Sequence, residues 1–225
     1  MNNNKFSHYV LCLISKKSKS LLLCLTFVIS SPGAYAADFF GEIGLHLGGD
    51  DAAISVNDSV MSGGFLSLSG GLVSPVGESL QVRTSLGYKI DVSESIIPVV
   101  DIFEGLFGSS DNSDDLVFER YPLELMFLTN NKKGFNFGIG LSYHLSPEIS
   151  TSNTLVNSVK FDDALGFVAE IDFKLGERGY VGLKYTSIDY ESDNPNLGTL
   201  SGMANFTNVD TINGDSFGVV IGIAF

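Results

Sequence analysis

From residue 39 to the end of the chain, large apolar side chains recur at every second position in eight separate segments. They cover about 39–47, 60–72, 79–91, 116–128, 135–145, 161–174, 179–190 and 215–225. A period of two is the pattern of an extended strand whose two faces meet different surroundings. In "FNFGIGLSYHL", one face carries Phe135, Phe137, Ile139, Leu141, Tyr143 and Leu145, and the other Asn136, Gly138, Gly140, Ser142 and His144. In the last segment Phe217, Val219, Ile221, Ile223 and Phe225 alternate with Ser216, Gly218, Val220, Gly222 and Ala224. The glycine-rich "GGFLSLSGGL" has the least defined register. No segment shows a helical period, and no apolar run after residue 36 is long enough for a membrane-spanning helix. The chain therefore reads as all-β.

The links between segments alternate in length. After the second, fourth and sixth strands they are short: "VSPVGE", "TNNKKG" and "LGERG". After the first, third, fifth and seventh they are long, at about 48–59, 92–115, 146–160 and 191–214. Hairpins in series place all short links at one end of a sheet and all long links at the other. Both ends of the strand-bearing region fall at the short-link end.

The composition of the polar face decides which face lies inside. A soluble barrel wets its polar face, which then fills with Lys, Glu and Asp. Here that face is rich in Gly87, Gly138, Gly140, Gly166, Gly182, Gly218, Gly222, Ser85 and Ser142. Small residues fit the narrow interior of an eight-stranded barrel. Tyr88, Tyr121, Tyr143 and Tyr185 fall toward the long-link end, and Phe39, Phe127, Phe135, Phe173 and Phe225 toward the short-link end. Two aromatic belts mark two membrane interfaces. The reading is a transmembrane, eight-stranded, antiparallel up-and-down β-barrel with its apolar face toward lipid. Closure in lipid requires the last strand to pair with the first, because an open edge cannot be satisfied there.

Residues 1–36 read as a cleaved secretory signal peptide. Lys5, Lys16, Lys17 and Lys19 precede the apolar "LLLCLTFVI", and "SPGAYA" supplies small residues at Ala34 and Ala36. Residues 37–225 then form the barrel domain with four long extracellular loops. Cys12 and Cys24 leave with the signal, which removes disulfides and thiolate metal sites from the remainder. So do four of the 13 basic residues and none of the 26 acidic ones, leaving a net charge of about −17. That charge excludes nucleic acid as a partner.

The whole of residues 37–225 resembles the small eight-stranded outer-membrane barrels: the OmpA transmembrane domain, OmpX, OmpW and the opacity-type proteins. The resemblance rests on the signal, strand count, loop asymmetry and the final "GVVIGIAF". It implies an integral protein of a Gram-negative outer membrane, in contact with membrane lipid and lipopolysaccharide. It also implies that Phe225 is the C-terminal aromatic signal read by the barrel-assembly machinery. This scaffold carries adhesins, narrow pores and lipid enzymes alike, so it fixes no function.

Four features bear on chemistry. First, inward charges collect at one level: Glu42, Arg83, Glu124, Glu170, Asp172 and Lys184, with the "LGERG" hairpin placing Glu170 across from Lys184. Buried charges demand pairing, so these predict a salt-bridged plug, with a conducting pathway as the competing reading. Second, His144 and Ser146, two apart on one face, are similar to the His-x-Ser site of the lipid A deacylase barrel, but Pro147 follows the serine and no orienting acid is evident. His46 and His144 sit on strands one and five, on opposite walls, which argues against one shared ion. Third, the link holding Ile102, Phe103, Leu106 and Phe107 is unusually apolar. It fits a lid over the barrel mouth, a contact with the outer leaflet, or a patch for an unknown extracellular partner. Fourth, no pattern calls for a cofactor or metal. The expected role is non-enzymatic, a structural, adhesive or protective envelope protein; the alternatives are a narrow solute channel and a lipid A-modifying enzyme using His144 and Ser146.

Overall fold

The computed structural model describes residues 37–53, 59–92, 116–129, 134–151, 158–192 and 211–225. Eight long strands build the barrel: β1 (Asp38–Leu47), β2 (Leu66–Pro75), β3 (Leu80–Val92), β4 (Leu116–Thr129), β5 (Phe135–Thr151), β6 (Ala164–Leu175), β7 (Gly179–Ser187) and β8 (Ser216–Ala224). Each pairs antiparallel with its neighbours in sequence, and β1 pairs with β8 from Phe40↔Ala224 to Leu47↔Phe217. The sheet is closed and has no free edge. The second segment lies further along the chain than its pattern suggests. Ser59–Met61 pairs with Asp51–Ala53 as a separate small hairpin, and β2 begins only at Leu66.

Burial is inverted relative to a water-soluble protein. Among the described residues 25 large apolar side chains are exposed, including Ile139 at 70% and Phe167 at 71%. Buried instead are Glu42, Arg83, Lys89, Asp91, Arg120, Glu124, Glu170, Asp172 and Lys184. Water would penalise such an exterior at roughly 25 cal/mol per Å² of apolar surface, so a continuous apolar belt of this size belongs against hydrocarbon. The belt arises from cross-strand pairs such as Ile43↔Ile221 and Leu45↔Val219, which stack on the outer face.

Two irregularities shape the wall. Between β3 and β4 the register runs to Leu86↔Leu123 and resumes at Lys89↔Arg120, so the ladder is interrupted beside Gly87 and Pro122. Proline lacks the N–H that a ladder position needs. On the other side of β4, Glu119 faces Glu148 while Tyr121 faces Leu145. Two residues of β5, Ser146 and Pro147, thus stand opposite the single Arg120. This is a β-bulge, with Ser146 at φ 48°.

The interior changes character toward the long-link end. There β5 runs on to Thr151, and Phe118, Ile149, Val159, Phe161, Ala164, Ile188, Tyr190 and Ile212 form one buried apolar cluster. Phe118 meets Tyr190 edge-on with ring centroids 5.3 Å apart, and meets Phe161 at 5.8 Å. The sequence reading treats most of 146–160 and 191–214 as wet loop. Instead, residues at the margins of those links build a second core above the charged lumen.

A two-layer charged lumen

The lower layer, nearer the short links, brings together all six inward charges singled out in the sequence. The turn after β6 sets Lys184 opposite Glu170. Lys184 Nζ donates to Glu42 Oε1 at 2.5 Å and Glu124 Oε2 at 3.2 Å, and lies 3.3 Å from Glu170 Oε2. An ammonium has three donors, and these carboxylates come from three different strands. Arg83 donates to Glu170 and lies 3.5 Å from Asp172 Oδ2 and 3.7 Å from Glu42 Oε2. Its Nη1 also donates to the Tyr180 hydroxyl at 3.2 Å, which in turn donates to Glu42 Oε2 at 2.6 Å. Tyr180 fits because Gly222 stands beside it; a side chain at Gly222 would overlap the phenol ring. Phe40 and Tyr180 present ring faces to the guanidinium at 5.3 and 5.6 Å.

The upper layer centres on Arg120. Its Nη1 donates to Asp91 Oδ2 at 2.9 Å, and its guanidinium lies 4.3 Å from the centre of the Phe118 ring. Lys89 Nζ donates to Ser216 Oγ at 2.9 Å. His144 Nδ1 lies 2.6 Å from the Tyr190 hydroxyl and Nε2 3.0 Å from Ser142 Oγ, which donates to Glu124 Oε1 at 3.5 Å. A chain of polar contacts therefore runs from Tyr190 through His144 and Ser142 to Glu124 and Lys184, joining the two layers.

Between the layers lies a cavity of about 20 Å³, lined by His46, Lys89, Glu124, His144, Lys184 and Thr186 among others. That is room for about one water molecule. His46 and His144 line the same cavity despite standing on opposite walls, because the lumen is narrow. Both His144 nitrogens are engaged by Tyr190 and Ser142, and His46 Nε2 lies 2.8 Å from Ser67 Oγ. Among the described residues no group of three or more His, Cys, Asp or Glu side chains could hold a metal ion.

The expectation that His144 and Ser146 share a face is overturned by the bulge. The extra residue at Ser146–Pro147 resets the alternation, so His144 is buried in the lumen while Ser146 is exposed on the outside. The Ser146 N–H donates to Asp163 Oδ1 at 2.9 Å. Phe225 is exposed, and its N–H donates to the Phe39 carbonyl at 2.7 Å, continuing the closing seam. Ile102, Phe103, Leu106 and Phe107 lie outside the described residues.

At the outer rim, tyrosines pair with carboxylates on three successive hairpins. Tyr88 donates to Glu119, Tyr143 to Asp163 at 3.1 Å and Tyr185 to Asp215 at 3.0 Å. Asp215 also accepts from the Ile188 N–H at 2.9 Å. Its slight burial pushes the carboxyl up, but the Ile188 and Tyr185 hydrogen bonds outweigh that and hold it below the usual carboxylate range.

Sequence reasoning passed over Tyr180, Lys89 and Asp91 as members of these layers. The signal was present: Tyr180 shares a face with Gly182 and Lys184, and Lys89 and Asp91 share one with Arg83.

No family model matches the chain, and no curated protein matches it. Among solved structures, Neisserial surface protein A aligns over 86% of this chain and 99% of its own, at 7% identity and a TM-score of 0.50. Ail, the attachment invasion locus protein of Yersinia pestis, covers 84% and 97% at 10% identity and a TM-score of 0.45. The outer membrane protein OprG from Pseudomonas aeruginosa covers 86% and 98% at 15% identity and 0.44. The fold is that of the small eight-stranded outer-membrane barrels.

Proposed function

We propose that the protein is an integral outer-membrane barrel whose lumen is a structural plug and whose role is non-enzymatic, exercised by the surface it presents at the long-link end. The observation that carries this reading is the stack of three seals in one bore. A lower layer of four carboxyls pairs with two cations, an upper layer is built around Arg120, and an apolar cluster lies above it. Charges shared among several partners hold one another in place and fill the bore with side chains. Residues 1–36 act as the export signal, and the four long links face outward from the cell. Phe225 serves as the assembly signal, and the apolar belt meets membrane lipid and lipopolysaccharide. Structural support, adhesion and protection all suit such a surface.

The deciding experiment is single-channel recording of the folded barrel in a planar bilayer. A silent membrane supports the plug. Steady, reproducible openings favour the second reading, a narrow channel for small solutes. That reading has one observation behind it: the interrupted β3–β4 ladder at Gly87 and Pro122 adjoins the cavity between the layers. Charge reversal at Arg83 or Lys184 would then alter ion selectivity.

Catalysis at His144 is disfavoured because a serine nucleophile must lie within hydrogen-bond reach of its base, and the bulge turns Ser146 to the opposite side of the wall. Unaltered lipid A in cells producing the protein is the expected outcome.

A further inference from the structure

The lower layer contains a mismatch that ion pairing leaves unresolved. Four carboxyl groups, Glu42, Glu124, Glu170 and Asp172, face two cations, Arg83 and Lys184. Two carboxylate oxygens in this layer have no hydrogen-bond partner although both are buried: Glu170 Oε1 and Asp172 Oδ1. They belong to residues two apart on the same face of β6, at 2% and 3% exposure. Both oxygens lie within 3.5 Å of a single point, the place a β-carbon on Gly182 would occupy. Two bare carboxylates have no hydrogen between them and repel.

The position opposite Asp172 on β7 is Gly182, and its bare α-carbon makes the room into which both groups lean. A β-carbon there would stand 2.6 Å from Asp172 Oδ1 and 3.5 Å from Glu170 Oε1. Both unpartnered oxygens thus converge on one point of the wall. The groups facing this point are Arg83 from β3, Tyr180 and Lys184 from β7, Glu42 from β1, Glu124 from β4 and Asn136 from β5, opposite Asp172. The cations are already engaged: Lys184 by Glu42, Glu124 and Glu170, and Arg83 by Glu170, Tyr180 and Asp172.

We propose that the lower lumen binds one small monovalent cation, a proton, shared between Glu170 Oε1 and Asp172 Oδ1 above Gly182. One hydrogen satisfies both orphaned acceptors at once, in the manner of paired carboxyls that cannot both ionise. It also balances the bore. Among the described lumen residues there are five carboxyls, Glu42, Asp91, Glu124, Glu170 and Asp172, and four cations, Arg83, Lys89, Arg120 and Lys184. With both histidines neutral, a single proton brings the lumen to zero net charge. His46 Nδ1 is buried and unpartnered, as the bare acceptor of a neutral ring would be. A divalent metal would need more ligands than the two free oxygens supply. This inference is independent of whether the lumen conducts.

The test is infrared spectroscopy of the folded protein in lipid vesicles at neutral pH, with carboxyl carbons isotopically labelled in aspartate and, separately, in glutamate. The expected result is the carbonyl band of a protonated carboxylic acid that shifts with one of the labels and is lost in Asp172→Asn. The amide of that variant donates its own hydrogen to Glu170, so its unfolding midpoint should match the parent and lose its sensitivity to alkali. No acid carbonyl band, or one that persists unchanged in Asp172→Asn, overturns the proposal. Replacing sodium by choline at fixed pH distinguishes the competing occupant: an unfolding midpoint that drops on sodium removal assigns the site to an alkali ion and overturns the proton. If Asp172→Asn does not fold, alkaline titration of the unaltered protein decides. The band and the unfolding midpoint must fall together as the proton leaves, and a midpoint that stays flat while the band disappears overturns the role.

Discussion

The two ends of the lumen solve the same problem by different means. At the lower end Lys184 and Arg83 are shared among carboxylates from β1, β4 and β6, and almost every contact there is ionic. At the upper end one arginine and one aspartate are wrapped by Phe118 and Tyr190, and the space above is apolar. Ionic sharing ties distant strands together but is fragile to loss of one member, because the remaining charges stay buried without partners. Apolar wrapping degrades more gradually, in proportion to the volume removed.

Lys184→Met should break the lower end most severely. It leaves Glu124 without an ion-pair partner among the described residues and leaves Glu42 and Glu170 with Arg83 alone, and the loss of one partner from a buried pair typically costs about 3–5 kcal/mol. Urea unfolding followed by electrophoretic mobility of the folded band would measure it. Adding Glu170→Gln should recover only part of the loss, since Glu124 still lacks its cation; equal stability of the single and double variants would refute the coupling. Phe118→Ala should cost about 3 kcal/mol by opening a cavity in the upper cluster, while leaving the lower ion pairs intact. Pairing Phe118→Ala with Lys184→Met tests whether the layers are independent, and additive losses are expected if the Ser142–His144 bridge carries little energy. Tyr190→Phe removes the hydroxyl against His144 and keeps the ring, with an expected loss of about 1 kcal/mol. Asp215→Asn should have the smallest effect. Its carboxyl is held below the usual range in the fold, so its contribution is present above its unfolded pKa and is lost as pH falls through the lower folded value. The variant should differ from the parent near neutral pH and converge with it in strong acid.

Much of this contrast was open to sequence reasoning, and the rest was hidden for identifiable reasons. Alternation revealed the inward carboxylates and cations of the lower end because β6 and β7 are regular and joined by a short turn that sets Glu170 against Lys184. The upper end was obscured by the bulge at Ser146–Pro147. One extra residue flips every later side chain, so the pattern that held through Leu145 placed Ser146 inside when it lies outside. The apolar cluster was hidden for a second reason. Val159 and Ile212 come from strands of two and three residues, too brief to show a period, and Ile149 lies beyond the bulge in β5. Tyr180 was overlooked because tyrosines were sorted into interface belts, although its spacing from Lys184 put it in the lumen.

The closing seam has a kinetic consequence. Every other pairing in the barrel joins strands adjacent along the chain, whereas Phe40↔Ala224 joins residues at opposite ends of the domain. The loop it closes contains nearly all the other strands, so its entropic cost is the highest in the molecule. Until that seam zips, β1 and β8 expose unpaired N–H and C=O groups that hydrocarbon cannot solvate. A partly zipped barrel therefore has no comfortable resting place within the bilayer. Lys184 links β7 to Glu42 on β1 across β8, so the lower ionic layer acts as a latch that engages only once the circle is complete.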